Sequence, residues 1–525
     1  MSGQAGTPAG GSAVAATPAA DLRAEWRAAN RAVLAIILVA TAVRIAFAGS
    51  IGLGIDESYM VAAGRTLGWS YFDHPPLSWW LSRGAALAAF SEAPLVVRLP
   101  FVVLFAVTTW FVYRLTALLY RPRAGVWAAA ALTLSPMLGV TSATWVLPDG
   151  PLDFALAGFA LAAAHAVLAG SRFPLGWWLL AGVCAGLAVL SKYSAVLTLA
   201  GLPLFLLTSP RHRGWLLRPQ PWLALVVALV VALPLLVWTV QNGATSIGFQ
   251  GGRAAVETFR PWGPLAVLGG AALFLLPWIF AGLAWALVGL LRRGRRDPAG
   301  WFITCLALPP IVLFALVSLW SDKLPLFHWA APGYLLLFPA LGDLLDRGRD
   351  ARWLRPAAIA TAGVVLVGLA IVSLEVRTGA LSRLVPALAR EQPALQAVDW
   401  TALRDALRRR GMLGRPDLVV AAPQWHTTGK VDYALGGALP VFCLCTDARQ
   451  FGIARPADDF RGADVMIVLP PGSRRDPLAQ YAEAFASIEP WGTVEVGPVG
   501  GEAARLRLFL GHDFRGLPPA TGSAR

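Results

Sequence analysis

Apolar runs of roughly membrane-crossing length, separated by short polar junctions, fill the chain from residue 31 to residue 374. The first spans about Ala32 to Ala48, and ten more follow at roughly 94–119, 125–142, 151–170, 175–191, 194–208, 221–240, 263–291, 301–320, 326–345 and 355–374. A helix needs about 20 apolar residues to cross the hydrocarbon core, so the pattern predicts about eleven transmembrane helices. The stretch before them, residues 1–30, is rich in Gly, Ala, Ser, Thr and Pro at its start and reads as a disordered cytosolic tail. Arg23, Arg27 and Arg31 before the first run, and Ala46-Phe47-Ala48 after it, also fit a secretory signal; the run's length and Arg44 favour an uncleaved anchor.

From Glu375 the pattern shifts. Short strand-like runs at Asp417–Ala421, Val441–Leu444, Asp464–Leu469 and Arg505–Leu510 alternate with helical stretches at Thr401–Arg410 and Asp476–Ala486. Residues 375–525 therefore read as a small α/β domain. No repeat of solenoid period is evident.

Composition sharpens this division. Only 14% of the 525 residues are charged, against about 25% in an ordinary soluble domain, and mean hydropathy is +0.60. So little charge cannot clothe several water-soluble cores, which excludes an ordinary cytosolic enzyme and leaves a membrane all-α bundle with an appended α/β domain. The net charge of +14 does not mark a nucleic-acid groove, because the arginines cluster between apolar runs. Even-numbered junctions carry Arg121 and Arg123, then Arg211, Arg213 and Arg218, then Arg292, Arg293, Arg295 and Arg296, then Arg347, Arg349, Arg352 and Arg355. Odd-numbered junctions hold Asp56, Glu57, Asp73, Asp149 and Glu257. This alternation predicts a cytosolic N-terminus, with the acidic loops and residues 375–525 on the outer side of the membrane. Cys184 and Cys305 fall in apolar runs; Cys443 and Cys445, two apart in a strand, are expected to be free thiols.

The loop at 51–93 is richest in chemistry, with Gly54-Ile55-Asp56-Glu57-Ser58-Tyr59 and Tyr71-Phe72-Asp73-His74-Pro75-Pro76-Leu77. Adjacent carboxylates beside a membrane span are costly unless used. The 56–68 stretch can form an amphipathic helix lying in the interface, with Tyr59, Met60, Ala63 and Leu67 on one face. The plainer reading makes Asp56 a helix cap and Asp73-His74-Pro75-Pro76 a turn. Asp149 likewise either caps the fourth span or serves chemistry, whereas Asp153, one turn deeper, is harder to explain as a cap. Only three of the 44 basic residues are lysines, and Lys192 and Lys323 stand at the ends where positive charge is otherwise sparse. There they either snorkel or neutralise a lipid phosphate.

As an ordered set, these residues resemble bacterial polyprenyl-phosphate-sugar-dependent glycosyltransferases of the glycosyltransferase C superfamily. Relatives of that family include protein O-mannosyltransferases and lipid A aminoarabinose transferases. The resemblance runs over about residues 30–345 through Asp56-Glu57, the Tyr71–Leu77 loop, Arg98, Pro148-Asp149, Ser191-Lys192-Tyr193, Trp238 with Gln241-Asn242, and Lys323 with His328-Trp329. The chain departs from the aminoarabinose branch, which commonly has Arg where Tyr59 stands and a Glu-Lys pair where Asp73-His74 stand, so that sugar is not carried over.

The resemblance implies an envelope acceptor (lipid A, glycan, lipid or protein) and an outward-facing catalytic domain at 31–374. It makes Asp56 the base, with Glu57 orienting it and Asp149 as a third catalytic carboxylate. Tyr59, Asp73, His74, Asp153, Lys192, Tyr193, Lys323 and His328 become substrate contacts. A single base implies direct displacement with inversion. Asp56, Asp73 and His74 are also candidate ligands for a divalent cation, although their spacing fits no standard metal motif. A transporter or lipid flippase would explain the spans equally well, but inverted repeats are not evident, and acidic residues and lysines gather on one face rather than at the midplane. A sensor with an outer ligand-binding domain would leave the two acidic loops unexplained.

Overall fold

A computed structural model describes residues 19–243, 245–253, 258–321, 324–385, 396–473, 475–497 and 505–517. The first helix begins at Ala19 and ends at Ser50, so residues 19–30 are helical and the expected tail is shortened. Packing explains the extension. Trp26 and Ala29 lie against Tyr113, Ala117 and Ala129, and the Asn30 amide oxygen accepts the Tyr113 hydroxyl at 2.5 Å.

All eleven apolar segments are built of helix. Among the described residues six helices are long and apolar enough to cross a membrane: 21–50, Pro94–Leu119, Asp149–Val167, Pro174–Ser191, Pro298–Val317 and Leu354–Thr378. Three more segments are pairs bent by 68°, 56° and 117°, which brings the number to nine if each pair is one span. Every bend falls where the second helix opens on proline: Pro136 after Pro122–Thr133, Pro234 after Pro219–Val231 and Pro277 after Gly263–Leu275. Proline fits a first helical turn but cannot continue the preceding ladder. Shorter pieces make up the remaining two segments, Ala195–Leu199 with Gly201–Thr208, and Leu324–Ala330 with Ala331–Leu335 and Phe338–Arg347.

The arginine clusters collect at one end of this bundle. Arg121 and Arg123 both bind the buried Asp346, at 2.5 and 3.0 Å, and Arg293 binds Asp297 at 2.8 Å. Tyr120 lies within electrostatic reach of Asp297, Asp343, Arg293 and Arg347. The acidic loop lies at the other end, beside the C-terminal domain.

That domain contains a five-stranded sheet. Its strands are β1 (Leu418–Ala422), β2 (Val441–Cys443), β3 (Asp464–Leu469), β4 (Ser487–Glu495) and β5 (Arg505–His512), in the order β2-β1-β3-β5-β4. β1 is parallel to β2 and β3, while β5 is antiparallel to β3 and β4. Alternate residues point to opposite faces. Val420, Met466 and Leu508 thus join Leu403, Leu407 and Val431 in one core, and Val419, Ile467 and Phe509 join Phe485 and Phe514 in the other. The helix expected over 476–486 reduces to Pro477–Gln480 and a 3₁₀ turn at Ala482–Ala484, because Tyr481 turns inward and donates to the Leu444 carbonyl at 3.1 Å.

The cysteine expectation is overturned as well. Cys443 and Cys445 form a disulfide, since the chain bends at Cys445 just past the end of β2 and brings the two Cα atoms to 5.2 Å.

Candidate active site

The acidic pair opens the helix Ile55–Ala63, whose two first-turn carboxylates suit its positive end. Their fates differ. Glu57 points inward, and Arg98, from the start of the 94–119 helix, meets it with Nε at 2.8 Å and Nη2 at 2.5 Å. The backbone N–H groups of Gly54 and Val146 donate to the same carboxylate at 2.9 and 3.0 Å. Arg98 is wholly buried and spends its remaining donors on the carbonyls of Ala48, Ile51 and Gly52, at 2.8, 3.0 and 2.8 Å. A buried charge is tolerable when it is paired and hydrogen-bonded in this way. Burial alone would raise the Glu57 carboxyl, but Arg98 and the two N–H donors hold it below its ordinary range. Glu57 is thus a fixed anion that secures the first helical turn, and the exposed Asp56 is left facing solvent.

Val146 ties this turn to the second acidic site. Three residues later, Asp149 begins the 149–167 helix and binds Lys192 Nζ at 2.8 Å, just past the end of the 174–191 helix. His74 and His328 lie within electrostatic reach of Asp149. Asp153, one turn further, is buried beside Ser142 and Asp149, and its oxygens have no hydrogen-bond partner of good geometry among the described residues. Tyr193 is surrounded by Ser70, Thr239 and Ser246, within reach of Asp73. The structure therefore gathers Asp149, Lys192, His74 and His328, with Asp153 beneath them. Lys323 lies outside the described residues.

Tyr59 and Asp73, expected as substrate contacts, both have buried side chains that bond within the protein. The Tyr59 hydroxyl donates to Asp73 Oδ1 at 3.1 Å and accepts from the Gln450 N–H at 3.1 Å. Burial and the Asp73 charge push the phenol well above its ordinary range, so it remains a donor. The other Asp73 oxygen receives Arg449 Nη1 at 3.2 Å, and the Phe72 N–H donates to Gln450 Oε1 at 2.9 Å. Within the candidate metal set Asp56, Asp73 and His74, Asp73 faces a guanidinium and a hydroxyl. No cluster of three His, Cys, Asp or Glu side chains suited to a metal occurs among the described residues.

The 55–63 helix does not lie in an interface. Residues Glu57 to Ala63 are all buried, and the face expected to meet lipid packs on the C-terminal domain. The partner is the helix Trp425–Leu435. Gly429 permits the close approach, because a Cβ there would stand 2.5 Å from Tyr59 Cα. Next to it, the buried Lys430 donates to the carbonyls of Leu53 and Gln396, and burial lowers its amine to about 7. Arg65 and Arg455 close on Asp432 at 2.8 Å each. Arg449, Gln450 and Lys430 escaped sequence reasoning. The scarcity of lysine could have marked Lys430, but nothing local distinguishes Arg449.

A family profile described as dolichyl-phosphate-mannose-protein mannosyltransferase matches residues 73–238. Lipid A galacturonosyltransferase RgtD of Rhizobium johnstonii is 25% identical over 289 residues, 54% of this chain and 58% of that protein, so the match spans little more than half of the relative. ArnT from Cupriavidus metallidurans bound to undecaprenyl phosphate has 18% identity, covers 91% of this chain and 97% of its own, and gives a TM-score of 0.62. Its apo structure has 16% identity, with 92% and 98% covered and a TM-score of 0.61. The chain thus has the ArnT fold, in keeping with the glycosyltransferase C resemblance read from its sequence.

Proposed function

We propose that this chain is an integral-membrane inverting glycosyltransferase that moves a sugar from a polyprenyl phosphate to an envelope acceptor at the outer face of the bacterial inner membrane. The observation that carries the reading is the division of labour between adjacent carboxylates. Glu57 is locked by Arg98 while its neighbour Asp56 is exposed, and the same Glu57 carboxylate accepts from Val146, three residues before the Asp149 that pairs with Lys192. A galacturonosyltransferase relative acting on lipid A makes lipid A the first acceptor to test and a uronic acid the first sugar.

In the proposed reaction the acceptor hydroxyl attacks the anomeric carbon. Its oxygen forms the new C–O bond, its proton passes to Asp56, and the bond to the phosphate oxygen breaks with the electron pair leaving on phosphate. Lys192, with His74 and His328 near it, stabilises the departing charge. Asp149 keeps Lys192 in place through their ion pair. Lys323 is retained as a second phosphate partner from the sequence pattern, and Asp153 and Tyr193 as groups shaping the donor pocket.

The proposed topology is eleven spans with a cytosolic N-terminus, supported by the gathering of arginine clusters at the end away from Asp56. Reporter fusions after Arg296 and after Arg377 should report opposite sides. The functional test is Asp56→Asn, which keeps size and hydrogen bonding but removes the base. Turnover of a polyprenyl-phosphate sugar should vanish while donor binding persists. Substantial residual turnover would reduce Asp56 to a helix cap.

A further inference from the structure

Arg98 and Arg449 are used in opposite ways. All five Arg98 N–H donors are consumed within the protein. Arg449, on the chain between β2 and the helix Gln450–Ala454, makes one side-chain hydrogen bond among the described residues, from Nη1 to Asp73. Its Nε is buried without a hydrogen bond, 3.6 Å from an Asp447 oxygen. A guanidinium has five donors, so most of this fork is uncommitted.

The fork is also held in place. Its carbon lies 3.5 Å from the centre of the Trp425 ring and 5.2 Å from that of Phe249. The Arg449 backbone has φ 49° and ψ −129°, a conformation that L-residues rarely adopt and that tends to persist where surrounding structure imposes it. Here the neighbouring Gln450 imposes it by bonding both Tyr59 and Phe72. His426 stands edge-on to Trp425, with ring centres 5.4 Å apart, and both Arg449 and Arg475 lie within electrostatic range of it. Asp73 and Asp447 are the carboxylates beside the fork. Tyr193, adjacent to Lys192, is within reach of Asp73, so Asp73 connects Arg449 to the neighbourhood of the Asp149–Lys192 pair.

We infer that Arg449 is a substrate-contacting residue supplied by the C-terminal domain, binding an oxyanion of the donor, either its phosphate or a carboxylate on its sugar. Planar bidentate recognition of such groups is what an oriented guanidinium offers and an ammonium does not. This rests on the proposed glycosyltransferase reading and extends it by adding a second cation, from the C-terminal domain, to Lys192.

The test uses the full chain in nanodiscs and measures binding of undecaprenyl phosphate, of a polyprenyl-phosphate uronic acid and of a polyprenyl-phosphate neutral hexose. Arg449→Ala should weaken at least one anionic ligand by about tenfold or more, the loss expected for a charge-assisted bond, without changing the protease resistance of the unliganded protein. A loss with undecaprenyl phosphate assigns the phosphate, and a loss confined to the uronic donor assigns the carboxylate. If Arg449→Ala does not fold, Arg449→Lys keeps the charge without the fork and should still weaken the same ligand by about threefold or more. Wild-type affinity for all three ligands in a folded variant overturns the inference, as does a loss confined to protease resistance. If the wild type binds no polyprenyl phosphate, the functional reading itself fails.

Discussion

Replacing Arg98 with Met keeps much of its volume and removes its charge. Glu57 would then be a buried carboxylate held only by the Gly54 and Val146 N–H groups, and the carbonyls of Ala48, Ile51 and Gly52 would lose their donors. Breaking a buried ion pair from one side costs about 3–5 kcal/mol, and the three stranded carbonyls place this case near the upper end. Converting Glu57 to Leu in the same background removes the orphaned charge. The double variant should therefore be more stable than the sum of the single losses by at least about 2 kcal/mol. The assay is SDS-titrated unfolding of the four proteins of the cycle. The folded Glu57 carboxyl lies below its ordinary value, so its contribution is complete above that value and fades as pH falls through the lower one. Wild type should lose stability in that acid window, and Arg98→Met should lose less. A cost below about 1 kcal/mol for Arg98→Met, or strict additivity, would refute the idea that this pair fixes the turn carrying Asp56.

Three further outcomes follow from the geometry. Lys192→Ala should weaken donor use by about 2 kcal/mol in kcat/KM, with partial rescue by Arg, because a compact point charge opposite Asp149 is lost; full activity would remove Lys192 from the site. Gly429→Ala should destabilise the protein by about 1–3 kcal/mol and lower turnover, because its Cβ meets the Tyr59 backbone, and an unchanged melting temperature would contradict that contact. Lys430 is lowered to about 7, so between there and the ordinary lysine range near about 10.4 the unfolded chain holds the extra proton. Stability should rise with pH across that window, and Lys430→Met should abolish the rise. A neutral amine still has two N–H groups for its two carbonyls.

Hydropathy made the membrane helices legible because lipid demands long apolar runs whatever their packing. The three bends were less visible, since a proline opening a new helix leaves the surrounding apolar run unbroken. In the C-terminal domain β3 matched its expected bounds, being buried along almost its whole length. β4 was missed because it is an edge strand with mostly exposed residues and an irregularity between Pro490 and Gly492, both poor strand formers. The 425–435 helix was missed because Thr427, Thr428 and Gly429 are weak helix formers, and packing against the 55–63 helix overrides that preference. Asp149, Lys192, His74 and His328 could be grouped because each is an anomaly against its local background. The Tyr59–Asp73 bond and its ties to the C-terminal domain could not be read from sequence, because their partners Gln450 and Arg449 are ordinary residues hundreds of positions away.

The Arg449–Asp73 and Lys430–Leu53 bonds join residues 376 and 377 positions apart. At a synthesis rate of roughly 5–20 residues per second, the loop bearing Asp56 would wait roughly 20–75 s after leaving the ribosome before its partners exist. Docking of the 55–63 helix and Asp73 onto the C-terminal domain is consequently one of the last events in the biogenesis of the chain. A nascent or prematurely terminated product would reach the membrane with its helices threaded and the loop bearing Asp56 unclamped. Such a product would lack the Arg449 and Lys430 bonds that tie this loop to the rest of the molecule.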